Sequence, residues 1–414
     1  LLLAQATTTS TSSNQPTAAD LAENGVEIIF TPAISAKAEE LGKNPVKIYN
    51  WVRNNIEYAP TYGSIQGADM CLQARVCNDM DTASLLISLL RVSGIYSHYA
   101  LGTIQLPIDK VMNWVGGFAD AMSALDLMSS GGIHVTGLTS GGKIVAVKIS
   151  HVYVEAWIDM IPSFGAKHKQ GDTWIPLDAS FKEHEVTSSF DLTKTVKFNE
   201  ADYLTTQRTI PPSLYYFLTV NDYYTANYQN TIHEILYGKR IKEEDHEIFL
   251  GSLSYQVVVS PQEYSSIPDY LRHKITFALS DSASGESAVT EKTVPELAGK
   301  KLTVSYNPAS PEDETAINNY GGLLKTPSYL LKVKPIVKAD DTVILEGPAT
   351  NPCSLISLSL QFISPGMSAD TIKINLSAGI YYAISLSLSN TPHNQTADRL
   401  DNVNNLVGTI YDSI

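Results

Sequence analysis

The sequence predicts an α+β protein in which a domain of mixed helices and strands precedes a β-sandwich (Ig-like) domain. Apolar residues recur at helical spacing in residues 79–95, and apolar and polar residues alternate strictly in residues 145–158. From Ser254 onward, short alternating segments separated by Gly, Pro and Asn take over. Many short strands with turn residues between them are typical of a β-sandwich.

Chain length and composition indicate the number of domains and the class of partner. The 414 residues are 43% hydrophobic, so the chain can bury ordinary cores, and the length suggests two or three domains. The formal net charge of -14 argues against nucleic acid or an anionic membrane surface as the partner. We find no stretch of ~20 apolar residues that would span a bilayer.

The first residues predict export. Leu1 to Ala6 form a short apolar run that ends in the small-x-small pattern read by signal peptidase, and residues 7–17 are rich in Thr, Ser and Asn. We assign residues 1–25 to a signal-peptide remnant and a flexible leader.

The next segments predict a helical start to the first domain, residues 26–205. Residues 36–56 carry apolar positions at helical spacing and predict one helix. A second, buried helix begins at Asp79 and ends near Gly94, which stands where a C-terminal cap belongs. An insertion at about 104–142 is helical between Leu106 and Ser130, and it either covers a cleft or packs beside it.

A strand then carries a histidine. Alternation in residues 145–158 places His151, Tyr153, Glu155 and Trp157 on one face, away from the apolar layer behind the strand. Asp178 follows Trp174 by four residues on a neighbouring segment, from which its carboxylate can accept a hydrogen bond from the imidazole.

The rest of the chain divides by its periodicity. Residues 206–250 predict a helical connector, with a tyrosine-rich helix over residues 213–237. Residues 251–390 predict the β-sandwich, and its first strand begins at Tyr255. Residues 391–414 predict the start of a further helical unit.

Three motifs carry a family resemblance. The end of the second helix reads Leu89-Leu90-Arg91 and then Gly94-Ile95, the strand reads His-x-aromatic-x-Glu from His151, and a Trp-x-Pro-x-Asp segment ends at Asp178. The chain resembles the transglutaminase-like branch of the papain-type cysteine enzymes. The resemblance implies a catalytic Cys77, His151 and Asp178, with the thiol near a helix start, where the macrodipole favours thiolate.

The cysteine is displaced from the family pattern. When the helix is aligned at Arg91, the family's cysteine position falls on Asp79, and Cys77 lies two residues earlier. Two helical residues rotate a side chain by about 200°, so Cys77 fits only if the chain there is not yet helical. Cys77 is also near enough in sequence to bridge Cys71, which would make it structural. We expect Cys353 to be a buried hydrophobic residue.

A subgroup resemblance points to a cellular setting. The segment Asn78-Asp79-x-Asp81 and most of residues 40–414 are similar to transglutaminase-like modules at the start of very large secreted bacterial proteins, often with YD or Rhs-type repeats. Those modules tend to have Gly where Cys77 stands. The resemblance implies an exported protein, secreted or at the bacterial cell surface.

Two functions therefore stand as expectations. In one, the module keeps its His-Asp site without a working nucleophile and serves protein binding or assembly within a larger polypeptide or surface assembly. In the other, Cys77, His151 and Asp178 act as a cysteine acyltransferase or hydrolase: a transglutaminase, deamidase or protease. We expect a protein or peptide partner, no cofactor and no metal, because no phosphate loop, Cys-x-x-Cys pair or His-Glu-x-x-His helix is present.

Overall fold

The computed structural model of the protein describes residues 15–159, 171–186, 192–205, 210–227, 239–247, 249, 252–384 and 386. The predicted signal-peptide remnant, most of the leader, and the predicted helical unit at 391–414 lie outside the described residues. Within the described residues, no helix combines the length and apolar character that crossing a membrane requires.

The N-terminal unit is built from helices on both faces of a mainly antiparallel sheet. Its helices are α1 (Pro32–Glu40), α2 (Pro45–Asn55), α3 (Gly67–Ala74), α4 (Asp79–Val92), α5 (Ile108–Val115) and α6 (Ala121–Ser130). Its strands are β1 (Glu57–Tyr58), β2 (Val76–Cys77), β3 (Ser97–Pro107), β4 (Val135–Ser140), β5 (Lys143–Ile158) and β6 (Thr173–Leu177).

The long strand β5 organises this unit. It pairs with β3 along most of its length, with β4 near its start and with β6 near its end. Val152 and Val154 face the core around α4, whereas Val147 and Ile149 face a second core formed with α5 and α6. Both faces of the sheet are therefore covered.

The predicted helix over residues 36–56 is wrong, because the chain forms two helices there. Gly42 and Lys43 have φ angles of 66° and 52°, left-handed values that an α-helix cannot contain. Asn44 then caps α2 by accepting hydrogen bonds from the N–H groups of Val46 and Lys47. The second predicted helix is α4, and Gly94 follows its end with φ 83°.

The N-terminal unit begins earlier than residue 26. Asp20 is buried, and Arg91 donates a hydrogen bond to the carbonyl of Ala22 at 2.6 Å. Residues 17–25 therefore belong to the folded unit and not to a leader.

Short elements connect the two units. They are β7 (His184–Val186), α7 (Leu192–Thr195), α8 (Glu200–Thr205), α9 (Pro212–Asn227) and β8 (Lys239–Ile241). The helix predicted over residues 213–237 corresponds to α9 in its first part, and residues 228–238 lie outside the described residues.

The next strand, β9 (Gln256–Tyr264), pairs with β3 and completes the sheet of the N-terminal unit. Residues 256–264 were predicted to open the β-sandwich. Their alternation is compatible with either sheet, and the pairing partner decides the assignment.

The C-terminal unit consists of two four-stranded antiparallel sheets that share one hydrophobic core. One sheet has the order β11-β10-β15-β16 and the other β14-β13-β12-β17. Their strands are β10 (Lys274–Asp281), β11 (Ser287–Thr293), β12 (Leu302–Pro308), β13 (Val333–Ala339), β14 (Thr342–Glu346), β15 (Leu355–Ile363), β16 (Asp370–Ser377) and β17 (Tyr382–Ile384). Two helices accompany them, α10 (Val294–Leu297) and α11 (Pro311–Tyr320).

The expectation that Cys353 is buried is wrong. Its side chain is exposed, and its φ of 66° places it in the turn before β15. Its backbone N–H donates to the carbonyl of Ala378 at 2.8 Å, so the turn is fixed by the backbone and the side chain points away from the core.

Candidate functional site

The start of α4 positions the first residue of the site. Asn78 caps the helix by accepting a hydrogen bond from the backbone N–H of Asp81 at 2.8 Å, and its amide donates to the carbonyl of Gly63 at 2.7 Å. Asp79 is therefore the first residue of the helix, where the macrodipole stabilises a carboxylate. Its side chain points towards β5, and Oδ2 accepts from the backbone N–H of Val152 at 3.0 Å.

His151 lies between two carboxylates. Its Nε2 is 2.8 Å from Oδ2 of Asp178, and its Nδ1 is 3.1 Å from Oδ2 of Asp79. Asp178 comes directly after β6, whose pairing with β5 carries it to the histidine. The structure thus brings His151 and Asp178 together, as the sequence predicts, and adds Asp79 on the opposite ring nitrogen.

Asp178 is fixed by several donors. Its Oδ1 accepts from the backbone N–H and the hydroxyl of Ser180 at 2.8 and 2.7 Å, and its Oδ2 accepts from the hydroxyl of Tyr255 at 2.7 Å. The sequence missed Tyr255, because residue 255 was assigned to the β-sandwich, whereas it directly precedes β9, the strand beside β3.

The electrostatics favour a charged imidazole. Burial alone would lower the pKa of His151, but the charges and hydrogen bonds of Asp178 and Asp79 outweigh burial and raise that pKa to about 10. Burial would raise the pKa of Asp178, but the His151 charge and the hydrogen bonds lower it well below 3.8. His151 is therefore an imidazolium whose two N–H groups donate to carboxylates, and such a group cannot accept a proton from a nucleophile.

Cys77 is joined to Cys71 by a disulfide, with a Cα–Cα distance of 5.8 Å. A catalytic role for Cys77 requires that the chain there is not helical, and Cys77 does lie in a strand, β2. Its sulfur, however, is bonded to a residue of α3, and both cysteines are fully buried. A sulfur held in a disulfide is not a nucleophile. Its catalytic role stays a prediction that requires reduction first.

Asp81 explains how α3 is held beside this disulfide. Its carboxylate accepts hydrogen bonds from the backbone N–H groups of Ile65, Gln66 and Gly67 at 3.2, 3.0 and 2.9 Å. Burial raises its pKa to about 7, against the opposing effect of these hydrogen bonds. Asp79 and Asp81 both lie in the first turn of α4, where acidic residues favour the helix, and each also has a partner outside the helix.

Aromatic side chains cover the site. The indole of Trp114 in α5 packs edge-on against His151 with ring centroids 5.4 Å apart, and its N–H donates to the carbonyl of Ser180 at 2.9 Å. Two further rings pack on Trp114: Tyr58 stacks on it with ring centroids 4.3 Å apart, and Phe181 packs edge-on with ring centroids 5.2 Å apart. The insertion therefore covers the histidine, and His151 is only 1% exposed.

A cavity of about 270 Å³ lies beside this cover. Asp178, Phe181 and Tyr255 line it together with Tyr49 and Arg53, but His151 and Asp79 do not. A ligand in this cavity would meet the orienting carboxylate and would remain separated from the imidazole.

Residues 30–179 match the family model of the transglutaminase-like superfamily. This segment includes α4, His151 and Asp178, the elements that form the site. Residues 30–179 are a transglutaminase-like domain. The match suggests a cysteine-type enzyme fold for this domain.

Comparison with solved structures finds red sea bream transglutaminase. It is 11% identical in sequence, with a TM-score of 0.20, and the alignment covers 81% of this chain. The chain spans 54% of the length of that transglutaminase. No curated protein matches the chain.

Proposed function

We propose that this protein is an exported, non-catalytic transglutaminase-like module that binds a protein or peptide partner within a large bacterial surface or secreted protein. The single observation that carries this proposal is the Asp79 carboxylate at Nδ1 of His151. A cysteine enzyme needs a thiol in hydrogen-bond reach of the histidine, with a third group that orients the ring. Here carboxylates take both places.

The burial of the site also supports a structural use of the imidazole. His151, Asp79 and Asp178 are 1%, 4% and 6% exposed, so solvent hardly reaches the imidazole or either carboxylate. Buried ion pairs that are fully hydrogen-bonded fix a unique arrangement of the elements that carry them. In this protein they tie α4 to β5 and to the end of β6.

The disulfide supports export. Cys71 and Cys77 form a buried bridge, and disulfides persist mainly in oxidising compartments outside the cytosol. Mass spectrometry of the protein isolated from producing cells without reductant is expected to find the bridged peptide. Free thiols at both positions in that sample would argue against export.

The C-terminal unit supports a role in recognition or assembly. Its two sheets share one core, as expected for the Ig-like β-sandwich that we propose.

The segment Asn78-Asp79-x-Asp81 supports membership of the subgroup found in YD or Rhs-type proteins.

A second candidate function is a cysteine acyltransferase or hydrolase that becomes active on reduction. The retained pair of His151 and Asp178, 2.8 Å apart, favours it. Once the bridge is reduced, the Cys77 thiolate would attack a glutamine carboxamide, and His151 would donate a proton to the departing ammonia.

Thiol labelling and amine incorporation separate the two candidates. We expect iodoacetamide to label Cys353 alone in the native protein, and reduction to add slow labelling of Cys71 and Cys77 without incorporation of a primary amine into a glutamine-containing protein. Rapid labelling of reduced Cys77 that is lost in His151→Ala, together with amine incorporation, would establish the enzyme instead.

The substitution Asp79→Cys tests the observation directly. It places a thiol at Nδ1 of His151, where a thiolate-imidazolium pair can form, so the ultraviolet thiolate absorbance is expected to appear at neutral pH. Asp79→Ser is the matched control, since it keeps a small polar side chain without a thiol. If Asp79→Cys folds and its thiol stays protonated at neutral pH, position 79 is not the vacated nucleophile position.

A further inference from the structure

A second cluster of titratable side chains lies on the same face of the sheet as His151. It consists of His98 on β3, Glu155 on β5 and Glu263 on β9. One ligand atom from each residue lies within 4.8 Å of the others. The proposed binding function does not use this cluster.

Strand pairing holds the three residues together. His98 and Glu155 are directly opposite each other in the β3–β5 pair, and Glu263 is opposite Ala100, the next residue on that face of β3. Nε2 of His98 is 3.2 Å from Oε2 of Glu155 and 4.0 Å from Oε2 of Glu263. Both carboxylates therefore face the same ring nitrogen.

The cluster carries an excess of negative charge. Asp20 adds a third carboxylate, with its Oδ1 3.8 Å from Nδ1 of His98. Among the residues that the structure describes, the only ion pairs of Glu155 and Glu263 are those with His98, and no Lys or Arg side chain approaches either carboxylate within ion-pair distance. One imidazole can balance at most one of these charges.

We propose that His98, Glu155 and Glu263 bind a divalent transition-metal cation, for which Zn²⁺ is the probe. The cation replaces the proton on Nε2 and neutralises the two glutamates, and water fills the remaining coordination positions. The nitrogen ligand favours a transition metal over Ca²⁺ or Mg²⁺, which prefer oxygen ligands throughout.

The surroundings of His98 fit this role. With a metal on Nε2, the remaining proton is on Nδ1, which faces Asp20 in the carboxylate–histidine–metal arrangement common in metal sites. Asp20 is itself held in place, because it accepts hydrogen bonds from the hydroxyls of Ser265 and Thr17, each at 2.8 Å. Outer groups of this kind fix the orientation and tautomer of a metal-binding histidine.

The site has an entry and a reporter. The side chain of Glu263 is 39% exposed and that of Glu155 is 17% exposed, so a hydrated cation can enter from solvent. The indole ring of Trp174 packs on His98, with ring centroids 4.1 Å apart. Metal binding is therefore expected to change the fluorescence of this indole.

The sequence predicts no metal site, and the proposal revises that expectation. Residues 98, 155 and 263 are too far apart in the chain for any ligand spacing to reveal them. Only the register of three strands places them together.

The test is titration of the full chain, without a histidine tag and after treatment with chelator, by isothermal calorimetry with Zn²⁺. We expect one equivalent of Zn²⁺ to bind, equimolar Ca²⁺ or Mg²⁺ not to compete, and the melting temperature to rise with the Zn²⁺ concentration. Failure of the wild-type chain to bind Zn²⁺ more tightly than the variants below would overturn the proposal.

Three variants assign the binding to the cluster. Glu155→Gln and Glu263→Gln keep the side-chain shape and are each expected to weaken Zn²⁺ binding at least about tenfold. His246→Ala is the matched control, since His246 also faces one glutamate, Glu244, at 3.7 Å, and its affinity for Zn²⁺ should match that of the wild type. Equal loss in His246→Ala, or unchanged binding in both glutamine variants, would place the cation elsewhere.

Discussion

Oδ2 of Asp79 lies 3.1 Å from Nδ1 of His151, on the side of the ring opposite Asp178. The backbone N–H groups of Met80 and Val152 also donate to this carboxylate, at 2.9 and 3.0 Å. Asp79 therefore connects the first turn of α4 to the centre of β5 through a buried charge. Each nitrogen of the imidazole thus faces a carboxylate, and in the non-catalytic function that we propose Asp79 occupies the place that a nucleophile would need.

Removal of the imidazole should strongly destabilise the fold. His151→Ala leaves the Asp79 and Asp178 carboxylates buried without a cation between them. Breaking a buried ion pair typically costs about 3–5 kcal/mol, and we expect a loss of that size in the free energy of unfolding. Urea denaturation of the wild type and the variant at pH 7 measures it.

The control for this prediction is His134→Ala. His134 is exposed, and its ring packs edge-on against Tyr62, so its loss is expected to change stability by less than about 0.5 kcal/mol. Similar losses in the two variants would show that the charge network has no special contribution.

Stability should fall at alkaline pH because of His151. Its pKa is raised in the folded protein from 6.5 to about 10, so the folded state binds this proton more tightly than the unfolded state does. The resulting stabilisation is fully present below pH 6.5 and is lost as the pH rises towards 10. Denaturation midpoints at pH 7, 8 and 9 should fall in the wild type and change less in His151→Ala; parallel curves would contradict the assignment.

The contribution of Asp81 to stability should change with pH in the direction opposite to that of a carboxylate whose pKa is lowered on folding. Its pKa is raised from 3.8 to about 7, mainly by burial, so the folded state holds the proton that the unfolded state releases. Its contribution to stability therefore decreases as the pH rises from about 4 to about 7. In Asp81→Asn the stability should depend less on pH over this interval, and nuclear magnetic resonance titration of the carboxyl carbon would report the pKa itself.

The sequence predicted the parts of this fold that follow from local periodicity. The helix that begins at Asp79 and the strand that carries His151 have unbroken patterns, because α4 is buried along almost its whole length and β5 is buried or half-buried from Val147 onward. The strands β11 and β16 were not predicted. Both lie at the edges of one sheet. β11 has few apolar residues, whereas β16 alternates at Ile372, Ile374 and Leu376, a pattern that the prediction missed.

Long-range partners were beyond local patterns. Periodicity cannot decide whether β9 joins β3 or a later strand, and that choice determines where Tyr255 and Glu263 lie. The same limit applies to Asp79. From the sequence, its position at the start of a helix is sufficient to interpret it as a capping group, and only the fold shows that β5 places His151 beside it.

The disulfide should contribute modestly to stability. Cys71 and Cys77 are 6 positions apart in the sequence. Closing so short a loop lowers the conformational entropy of the unfolded chain, which stabilises the folded state by about 2 kcal/mol. Replacing both with serine should lower the free energy of unfolding by roughly that amount. Cys353→Ser, at an exposed turn, is the control and should be neutral. A double variant as stable as the control would mean that the disulfide contributes nothing to stability.

The ion pair between Glu27 and Arg272 should be critical where the two units meet. The glutamate side chain is fully buried, and it accepts hydrogen bonds from Nε and Nη2 of the arginine at 2.6 and 3.0 Å. Arg272→Ala removes the cation from this buried carboxylate and leaves it the neutral amide of Asn24, at 2.8 Å, as a donor, which should cost about 3–5 kcal/mol. Arg272→Lys should restore part of the loss, because an ammonium supplies the charge without the two-pronged geometry. Calorimetric melting of these variants measures both effects, and equal melting temperatures for Arg272→Ala and the wild type would show that the ion pair contributes nothing to stability.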